Sequence, residues 1–546
     1  MRAPIEEIAE VICRSETFRT TPRLRDFLRY LVKCLAIDAT VKEVLIGIEF
    51  FHRDPAYDPR RDPIVRVEAH RLRRLLRKYY HSEGAQEPWQ LYMPIGAYSP
   101  KLRRREEAAL EWRLAVKVQA SDPLIGDGIA AELTRQLGSL RGVQVLALSS
   151  NPERADANAI LECRLDGINI QAKLSRRSGN QLTELGSFDN SIQPSVEALT
   201  QFVASTIGLR RTGGASPRAL LDFNSYQVFL AGRAWFHRCS PGNLEQAARC
   251  FEEVIDRHPA FAPAYASLAD IQVLMAYWFA PQARPVLKRG LIYAAKAAEL
   301  DPVGADVLCS RAALEAVLHY RWEEAEANFR RALESNPNNS LALNWLAIVG
   351  LVPQLRFSEA VDAVFAAYDL DPASPEIGNE VVWVRICCEQ YAESADQARR
   401  IVELHPDFLE VYWSLSVAES SCGRHADSLA ALDRAERIAP GVPMTCALRC
   451  FAEAASGNRD AAYQSLQRLE SLSDPSAARS IFLAWAHAAV GNLENAMHHL
   501  EKAVDAADPQ ALYLEVFPPS APLRTHPRYP EILRRQRLPS RSTATK

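Results

Sequence analysis

The sequence lacks the features that would mark a membrane or exported protein. No run approaches the ~18 apolar residues that a membrane-spanning helix needs, and the strongest candidate, Leu346–Val352, is stopped by Pro353. The first residues, Met1–Arg14, alternate apolar and acidic side chains and carry no basic-then-apolar secretion signal. These absences predict a cytoplasmic protein without a membrane partner.

Common metal, redox and phosphate-binding motifs are also missing. The eleven cysteines include no Cys-x-x-Cys pair, and the adjacent Cys387 and Cys388 are poorly spaced for zinc or for an ordinary disulfide. Neither Gly-x-x-x-x-Gly-Lys-Ser/Thr nor Gly-x-Gly-x-x-Gly occurs. We therefore expect reduced, mostly buried thiols, no metal, no cofactor and no enzymatic activity.

What is present is an uneven distribution of charge. Residues 1–105 contain 21 Lys and Arg against 14 Asp and Glu, whereas the rest of the chain carries a net charge of −10. The composition, with 48% hydrophobic residues, is that of a globular protein, and 546 residues suffice for three or four domains of ~150 residues. A basic head on an acidic body predicts that the head alone meets a polyanion.

Prolines recur at a nearly constant interval in the C-terminal half. The intervals are 43, 35, 35, 34, 34, 35 and 34 residues between Pro259, Pro302, Pro337, Pro372, Pro406, Pro440, Pro475 and Pro509. A period of ~34 residues is typical of the tetratricopeptide repeat, which has two antiparallel helices in each unit. Each proline would end a second helix, because proline cannot donate the next backbone hydrogen bond.

Apolar residues inside each period support this architecture. Ala325, Phe329 and Ala332, for example, stand before Pro337, where small residues let two helices approach and a large one fills the groove between pairs. The longer first interval indicates an insertion around Ala280–Pro285. Residues 220–535 thus resemble the tetratricopeptide family. That resemblance implies an α-solenoid that binds a protein or peptide partner on its concave face, or that self-associates, for instance as a homodimer.

A long amphipathic helix is predicted over Pro63–Tyr80, because Asp62 is a good N-cap and proline suits the first helical position. Advancing each residue by ~100° places two sets of side chains on opposite sides of this helix. The apolar side, which we expect to be buried, consists of Ile64, Val65, Leu72, Leu75, Leu76 and Tyr79. The basic side consists of Arg66, His70, Arg73, Arg74 and Arg77.

This basic side fits duplex DNA, because Arg and Lys neutralise phosphates and read base edges in the major groove. Arg66, His70 and Arg73 lie nearer the helix N-terminus, the end that usually reaches the bases in helix-turn-helix docking. The plainer alternative is a solvated helix face. Further phosphate contacts are expected from Lys42, Arg60 and Arg61.

The elements around this helix predict a winged helix. Shorter helices are predicted at Ile5–Cys13, Arg23–Leu35 and Lys42–Phe50, and two strands at Trp89–Met93 and Ala97–Leu102, joined by the turn Pro94-Ile95-Gly96. The order and the Pro-x-Gly-Ala-Tyr wing resemble OmpR-type winged-helix DNA-binding domains. The stretch from Lys42 to Val67 is closer still to the N-terminal domain of acidobacterial-type multidomain regulators that also carry tetratricopeptide repeats. The resemblance implies that the wing around Gly96 and Tyr98 touches the neighbouring minor groove.

Residues 112–210 alternate strand-like and helix-like segments, which predicts a small α/β domain. The predicted strands are Leu114–Val118, Val143–Leu148, Ile160–Asp166 and Ile168–Leu174, and the predicted helices are Asp127–Leu140 and Ser195–Leu209. Gly126-Asp127-Gly128-Ile129, Glu132-Leu133, Leu137 and the strand Val143–Leu148 are similar to the TolB-N-like or FlgO-like module that precedes tetratricopeptide repeats in cyclase-linked and transcriptional regulators. A linker is predicted over residues 211–219.

The chain is therefore predicted to be multidomain and mainly α-helical. It would comprise a winged helix (1–105), a small α/β middle domain (112–210), a tetratricopeptide α-solenoid (220–535) and a tail (536–546). The predicted function is that of a bacterial DNA-binding transcriptional regulator whose repeats bind a protein partner or mediate self-association. Two alternatives remain open. One is an interaction scaffold whose winged helix does not bind DNA, and the other is a non-catalytic relative of cyclase-linked regulators.

Overall fold

The structure is a computed structural model. It describes residues 2–36, 42–55, 57–59, 62–81, 83–84, 87, 89–93, 98–104, 112–140, 143–146, 157, 159–166, 169–176, 182–188, 192–207, 221–238, 241–279, 282–371, 374–472 and 480–541. The predicted linker over residues 211–219 and the predicted turn Pro94-Ile95-Gly96 lie outside these residues.

The described residues of the N-terminal region form five helices followed by a hairpin. They are α1 (Arg2–Arg14), α2 (Glu16–Arg19), α3 (Pro22–Ala36), α4 (Glu43–Glu49), α5 (Ile64–His81), β1 (Trp89–Tyr92) and β2 (Lys101–Arg104). The predicted N-cap of α5 is confirmed, because the Ile64 N–H donates to Asp62 Oδ1 at 3.0 Å. The two strands are antiparallel, with Leu91 opposite Leu102. Helix α2 was not predicted, and β2 begins four residues later than the predicted strand.

The apolar side of α5 forms the centre of this region, as its periodicity predicts. Ile64, Val65 and Leu72 are fully buried, and Leu76 and Tyr79 nearly so. They pack with residues of α1, α3 and β1 in one cluster. Burial of this side leaves the opposite side of α5 facing away from its own domain.

Among the described residues, a five-stranded sheet with two helices follows. Its strands are β3 (Trp112–Gln119), β4 (Val143–Leu146), β5 (Ala159–Asp166), β6 (Asn169–Arg176) and β7 (Leu182–Phe188), and its helices are α6 (Pro123–Leu137) and α7 (Ile192–Thr206). The strand order is β4-β3-β5-β6-β7, with β3 parallel to both neighbours and the remaining pairs antiparallel. Strand β7 was not predicted. Asp122 rather than Asp127 begins α6, since its side chain accepts the Leu124 N–H.

The described part of residues 221–508 forms eight antiparallel helix pairs. They are α8 (Phe223–His237) with α9 (Pro241–Arg257), α10 (Ala262–Leu274) with α11 (Ala283–Leu300), α12 (Ala305–His319) with α13 (Trp322–Ser335), α14 (Ser340–Trp345) with α15 (Phe357–Leu370), α16 (Pro375–Cys387) with α17 (Tyr391–Leu404), α18 (Leu409–Ser421) with α19 (His425–Ile438), α20 (Pro443–Ala455) with α21 (Arg459–Glu470), and α22 (Ser480–Ala489) with α23 (Leu493–Asp505). Two π-helical segments, Met275–Phe279 and Leu346–Leu351, extend α10 and α14.

The proline ladder predicts the helix ends correctly. Helices α11, α13, α15 and α17 each end two residues before a proline of the ladder, with Asp301, Asn336, Asp371 and His405 as their C-caps. Successive first helices of the pairs pack against one another from α16 through α22, so they form the inner side of the curved array. The second helices lie on the outer side.

The five-stranded sheet and the first helices of the array share one hydrophobic core. Helix α6 packs along α8, and residues of the sheet cluster with residues of α8, α9 and α10. The two helices approach so closely at Gly128 that a Cβ there would lie 2.3 Å from the Leu230 carbonyl oxygen. The sheet and α6 therefore cover the first helix pair of the described array and keep the apolar face at that end from water, as the end of a solenoid requires.

The chain after α23 folds back along the array. It contains two 3-10 turns, Pro509–Tyr513 and Pro518–Thr525, and the short helix α24 (Tyr529–Arg535). We call residues 509–541 the return segment. Residues 536–541, which the sequence places in a tail, belong to it: Gln536 is fully buried. None of the helices in the described residues is long and apolar enough to cross a bilayer.

Candidate functional site

The basic side of α5 lies against the outer side of the array. Helix α5 packs on α15, and Val67 is fully buried within the hydrophobic cluster of the repeats. The His70 ring lies 4.6 Å from the Phe365 ring, and the Arg74 guanidinium lies 5.4 Å from the centre of the Tyr368 ring. We call this contact between α5 and α15 the docking interface.

Basic and acidic side chains meet in the docking interface. His70 Nε2 lies 3.5 Å from Asp369 Oδ2, and these side chains are only 12% and 9% exposed. At the outer edge of the interface, partial desolvation raises the pKa of Asp362, and the nearby Arg66, His70 and Arg73 counteract that rise. A protonated His70 would therefore form an ion pair with Asp369 where water is largely excluded.

A second strip of polar contacts extends the interface to the next helix pair. Glu68 is fully buried and accepts a hydrogen bond from Arg71 Nη1 at 2.9 Å. Arg385 at the end of α16 is also buried, and burial together with Arg71 lowers its pKa to about 10, while Glu68 and Glu393 act in the opposite direction. Arg385 also lies 5.3 Å from the centre of the Phe365 ring. Phe365 therefore contacts both the N-terminal region and its own array.

Arg66 is held mainly within its own domain. Its Nε donates to both carboxylate oxygens of Glu43, at 2.8 and 2.9 Å, and the Arg66 side chain is 30% exposed. Tyr98 lies beside this pair, and its burial, assisted by Glu43, raises its pKa. The structure thus joins Arg66 and Tyr98, which the sequence assigned to the helix and the wing, in one cluster.

The other residues predicted to contact DNA differ in their exposure. Lys42 is exposed at the start of α4. Arg73 is half-buried, and Arg74 is exposed apart from its contact with Tyr368. The side chain of Arg77 and the whole of Arg60, Arg61 and Gly96 lie outside the described residues. The array residues of the docking interface, Asp362, Phe365, Asp369, Arg385 and Glu393, were not singled out by the sequence.

The return segment occupies much of the inner side of the array. Phe517, which is fully buried, lies 4.6 Å from the Trp383 ring and 4.8 Å from the Trp485 ring. Trp485 Nε1 donates to Ser520 Oγ at 2.9 Å, and Trp322 Nε1 donates to the Gln536 carbonyl oxygen at 3.1 Å. The concave face, predicted as a partner site, is therefore already lined in part by the chain itself.

The family comparison agrees with the repeat architecture. The tetratricopeptide repeat model matches residues 311–375 and 389–443. No curated protein matches the chain significantly. Because the matched residues lie within the eight helix pairs, the assignment of the repeats rests on two independent observations.

Several solved repeat structures are similar to part of the chain. A tetratricopeptide repeat protein from Parabacteroides merdae is 15% identical, with 50% of this chain and 98% of that chain covered and a TM-score of 0.34. PilF of Pseudomonas aeruginosa is 19% identical, with 40% and 93% covered and a TM-score of 0.31. YrrB, described as a tetratricopeptide protein with an unusual peptide-binding site, is 21% identical, with 36% and 96% covered and a TM-score of 0.25. The C-terminal region of this mainly helical chain consists of tetratricopeptide repeats.

Proposed function

We propose that the chain is a non-catalytic cytoplasmic scaffold whose tetratricopeptide repeats bind a protein partner. The repeats support this proposal, because solenoids of this kind offer long curved surfaces to proteins and peptides. The N-terminal region would be an OmpR-like winged helix that serves as a docking module, and the middle domain a TolB-N-like cap. In this proposal, both are permanent parts of the scaffold.

The docking interface is the observation that carries the proposal. The helix face that a winged helix would present to DNA instead contacts α15 through His70, Arg74 and the fully buried Val67. DNA phosphates could not reach His70 while its ring lies against Phe365. Because its basic helix is used in an internal contact, such a module would hold the N-terminal region on the array and would not bind DNA.

The second candidate function is a DNA-binding transcriptional regulator. Its support is the excess of basic residues in 1–105 together with a hairpin directly after a basic helix, the arrangement that winged helices use on DNA. In that function the array would mask α5, and a signal would have to separate α5 from α15. The two candidates therefore predict different behaviour when the docking interface opens: the regulator would then bind DNA, and the scaffold would not.

One experiment separates the two candidates. Binding of the full chain to random-sequence duplex DNA is measured at several salt concentrations, beside the array-side double variant Phe365→Ala/Asp369→Arg. This variant leaves every residue of α5 intact and replaces the carboxylate opposite His70 with a larger, cationic side chain. For the scaffold, neither protein binds DNA even at low salt.

The regulator gives a different result. The double variant would bind DNA with an affinity that falls with salt, at a logarithmic slope of about −0.9 for each phosphate neutralised, and the parent chain would bind more weakly. That outcome would overturn the scaffold proposal. Tyr463→Ala, which removes a half-exposed aromatic ring from α21 far from the interface, is the matched control and should behave like the parent chain in both cases.

A further inference from the structure

The end of the return segment reaches the turn between α16 and α17. The Arg541 backbone N–H donates to Glu515 Oε2 at 2.6 Å. Glu515 is buried, and its other carboxylate oxygen accepts the Tyr529 hydroxyl at 2.8 Å. The backbone of Arg541 is therefore fixed within the return segment, and its side chain extends from that segment to the array.

The Arg541 side chain contacts two helices of the array. Its Nη1 donates to Glu389 Oε1, and its Nη2 donates to the Cys387 carbonyl oxygen at 3.3 Å. The guanidinium also lies 5.6 Å from the centre of the Phe357 ring, a distance at which an aromatic face attracts a cation. Cys387 ends α16 and Phe357 begins α15. One side chain thus links α15, which carries the docking interface, with α16.

Glu389 occupies a backbone position that favours glycine. Its φ is 62°, in the left-handed region, where the Cβ of an L residue is crowded against its own backbone. The corresponding turns after α18, α20 and α22 contain Gly423, Gly457 and Gly491, with φ of 78°, 84° and 84°. The turn after α16 therefore accepts backbone strain at the residue whose carboxylate meets Arg541.

The same turn leads directly to contacts with the N-terminal region. Glu393 Oε1, in the first turn of α17, lies 3.8 Å from Arg23 Nη1 of α3. The Glu393 carbonyl oxygen accepts a hydrogen bond from Arg385 Nη1 at 3.0 Å, and the Arg385 guanidinium lies against the Phe365 ring of the docking interface. One short stretch, residues 389–393, thus contacts the return segment at one end and the N-terminal region at the other.

We propose that the return segment helps to hold the N-terminal region on the array through Arg541. The Arg541 side chain fixes the turn after α16 and the start of α15. These elements in turn position Glu393, Arg385 and Phe365 against the N-terminal region. A partner that displaced the return segment from the inner side of the array would therefore loosen the docking interface on the outer side. This coupling goes beyond the proposed scaffold function.

A coupling of this kind acts in both directions. The free energy that two contacts share is the same whichever contact is broken first. Breaking the docking interface should therefore loosen the end of the return segment as well. If the turn after α16 were held firmly by its own repeat, the loss of either contact would leave the other unchanged.

The test compares two arginines of the return segment in the full chain. Arg541→Ala removes the side-chain contacts with α15 and α16. The matched control, Arg535→Ala, removes a similarly exposed ion pair with Asp505, which ends α23. Hydrogen exchange measured by mass spectrometry should become at least about fivefold faster in α5 of Arg541→Ala. It should stay unchanged in α5 of Arg535→Ala.

The reverse experiment disturbs the docking interface from the side of α5. His70→Glu places a carboxylate opposite Asp369 and changes no residue of the array. Exchange in residues 529–541 should become faster by a similar factor, because the coupling is reciprocal.

Three outcomes would overturn the proposal. They are unchanged exchange in α5 of Arg541→Ala, equal acceleration in α5 by Arg535→Ala, and unchanged exchange of the return segment in His70→Glu. These measurements involve neither DNA nor a partner protein, so the coupling and the scaffold function can fail separately.

Discussion

The imidazole ring of His70 on α5 lies 4.6 Å from the ring of Phe365 on α15, and the Arg385 guanidinium lies 5.3 Å from the same ring. Phe365 is 4% exposed, so its ring is enclosed by a domain and a repeat that are distant in sequence. The ring thus connects the N-terminal region to the array. Its removal would weaken both sides of the contact at once.

We predict that Phe365→Ala loosens the docking interface. Truncating a buried phenylalanine costs about 3–5 kcal/mol of stability, and here the loss should fall on the contact between α5 and α15. Hydrogen exchange measured by mass spectrometry should become faster in both helices, whereas α22 should be unaffected. The control Tyr463→Ala should leave exchange in α5 unchanged. Unchanged exchange in α5 of Phe365→Ala would show that the docking interface does not hold the domain.

The elements that the sequence predicts well are those with local causes. Helix α5 begins where Asp62 can cap it, and its apolar side follows from the spacing of Ile64, Val65 and Leu72. The helix pairs follow from the proline period, because proline ends a helix whatever surrounds it. Strand β7 escaped prediction, since Leu182–Phe188 shows little alternation between apolar and polar residues.

The candidate site was predictable only in part. The spacing of His70 and Arg74 correctly places both on one side of α5. Nothing in that spacing shows that Asp369 and Phe365 oppose them, because an acidic residue on a repeat helix has the same pattern as a solvent-facing one. The return segment was missed for a related reason. Its 3-10 turns, such as Pro509–Tyr513, are too short to show a helical period.

We predict that Gly128→Ala separates α6 and the five-stranded sheet from the array. The added Cβ would lie 2.3 Å from the Leu230 carbonyl oxygen, and a backbone atom cannot move aside as a flexible side chain can. Overpacking of this kind costs about 1–3 kcal/mol, and it should lower the thermal melting temperature. Gly242→Ala is the control, because a Cβ there meets nothing within 4 Å. Equal melting temperatures for the two variants would contradict the close packing of α6 on α8.

We predict that Phe517→Ala releases the return segment from the inner side of the array. The ring is fully buried between Trp383 and Trp485, so its loss should cost about 3–5 kcal/mol. Limited proteolysis should then cut within residues 509–541 earlier than in the parent chain. Tyr463→Ala serves again as the control. If the segment stays protected in Phe517→Ala, its anchoring must depend on other contacts, such as that of Trp322 with Gln536.

We predict that Glu380→Gln makes the chain more stable at alkaline pH and changes little at acidic pH. Burial raises the pKa of Glu380 from 4.5 to about 8 in the folded chain, so folding favours the protonated carboxyl. In the parent chain, the stability linked to this group is fully present below pH 4.5 and is lost as the pH rises toward 8.

Glutamine has no proton to lose, so the variant avoids that loss. The pKa shift sets an upper limit of about 5 kcal/mol for the difference in unfolding free energy. Melting temperatures of both proteins, measured from pH 5 to pH 9, should therefore diverge as the pH rises, with the variant above the parent chain. Parallel curves would mean that folding does not raise the pKa of Glu380, and that its carboxyl group is better solvated or better paired than its burial indicates.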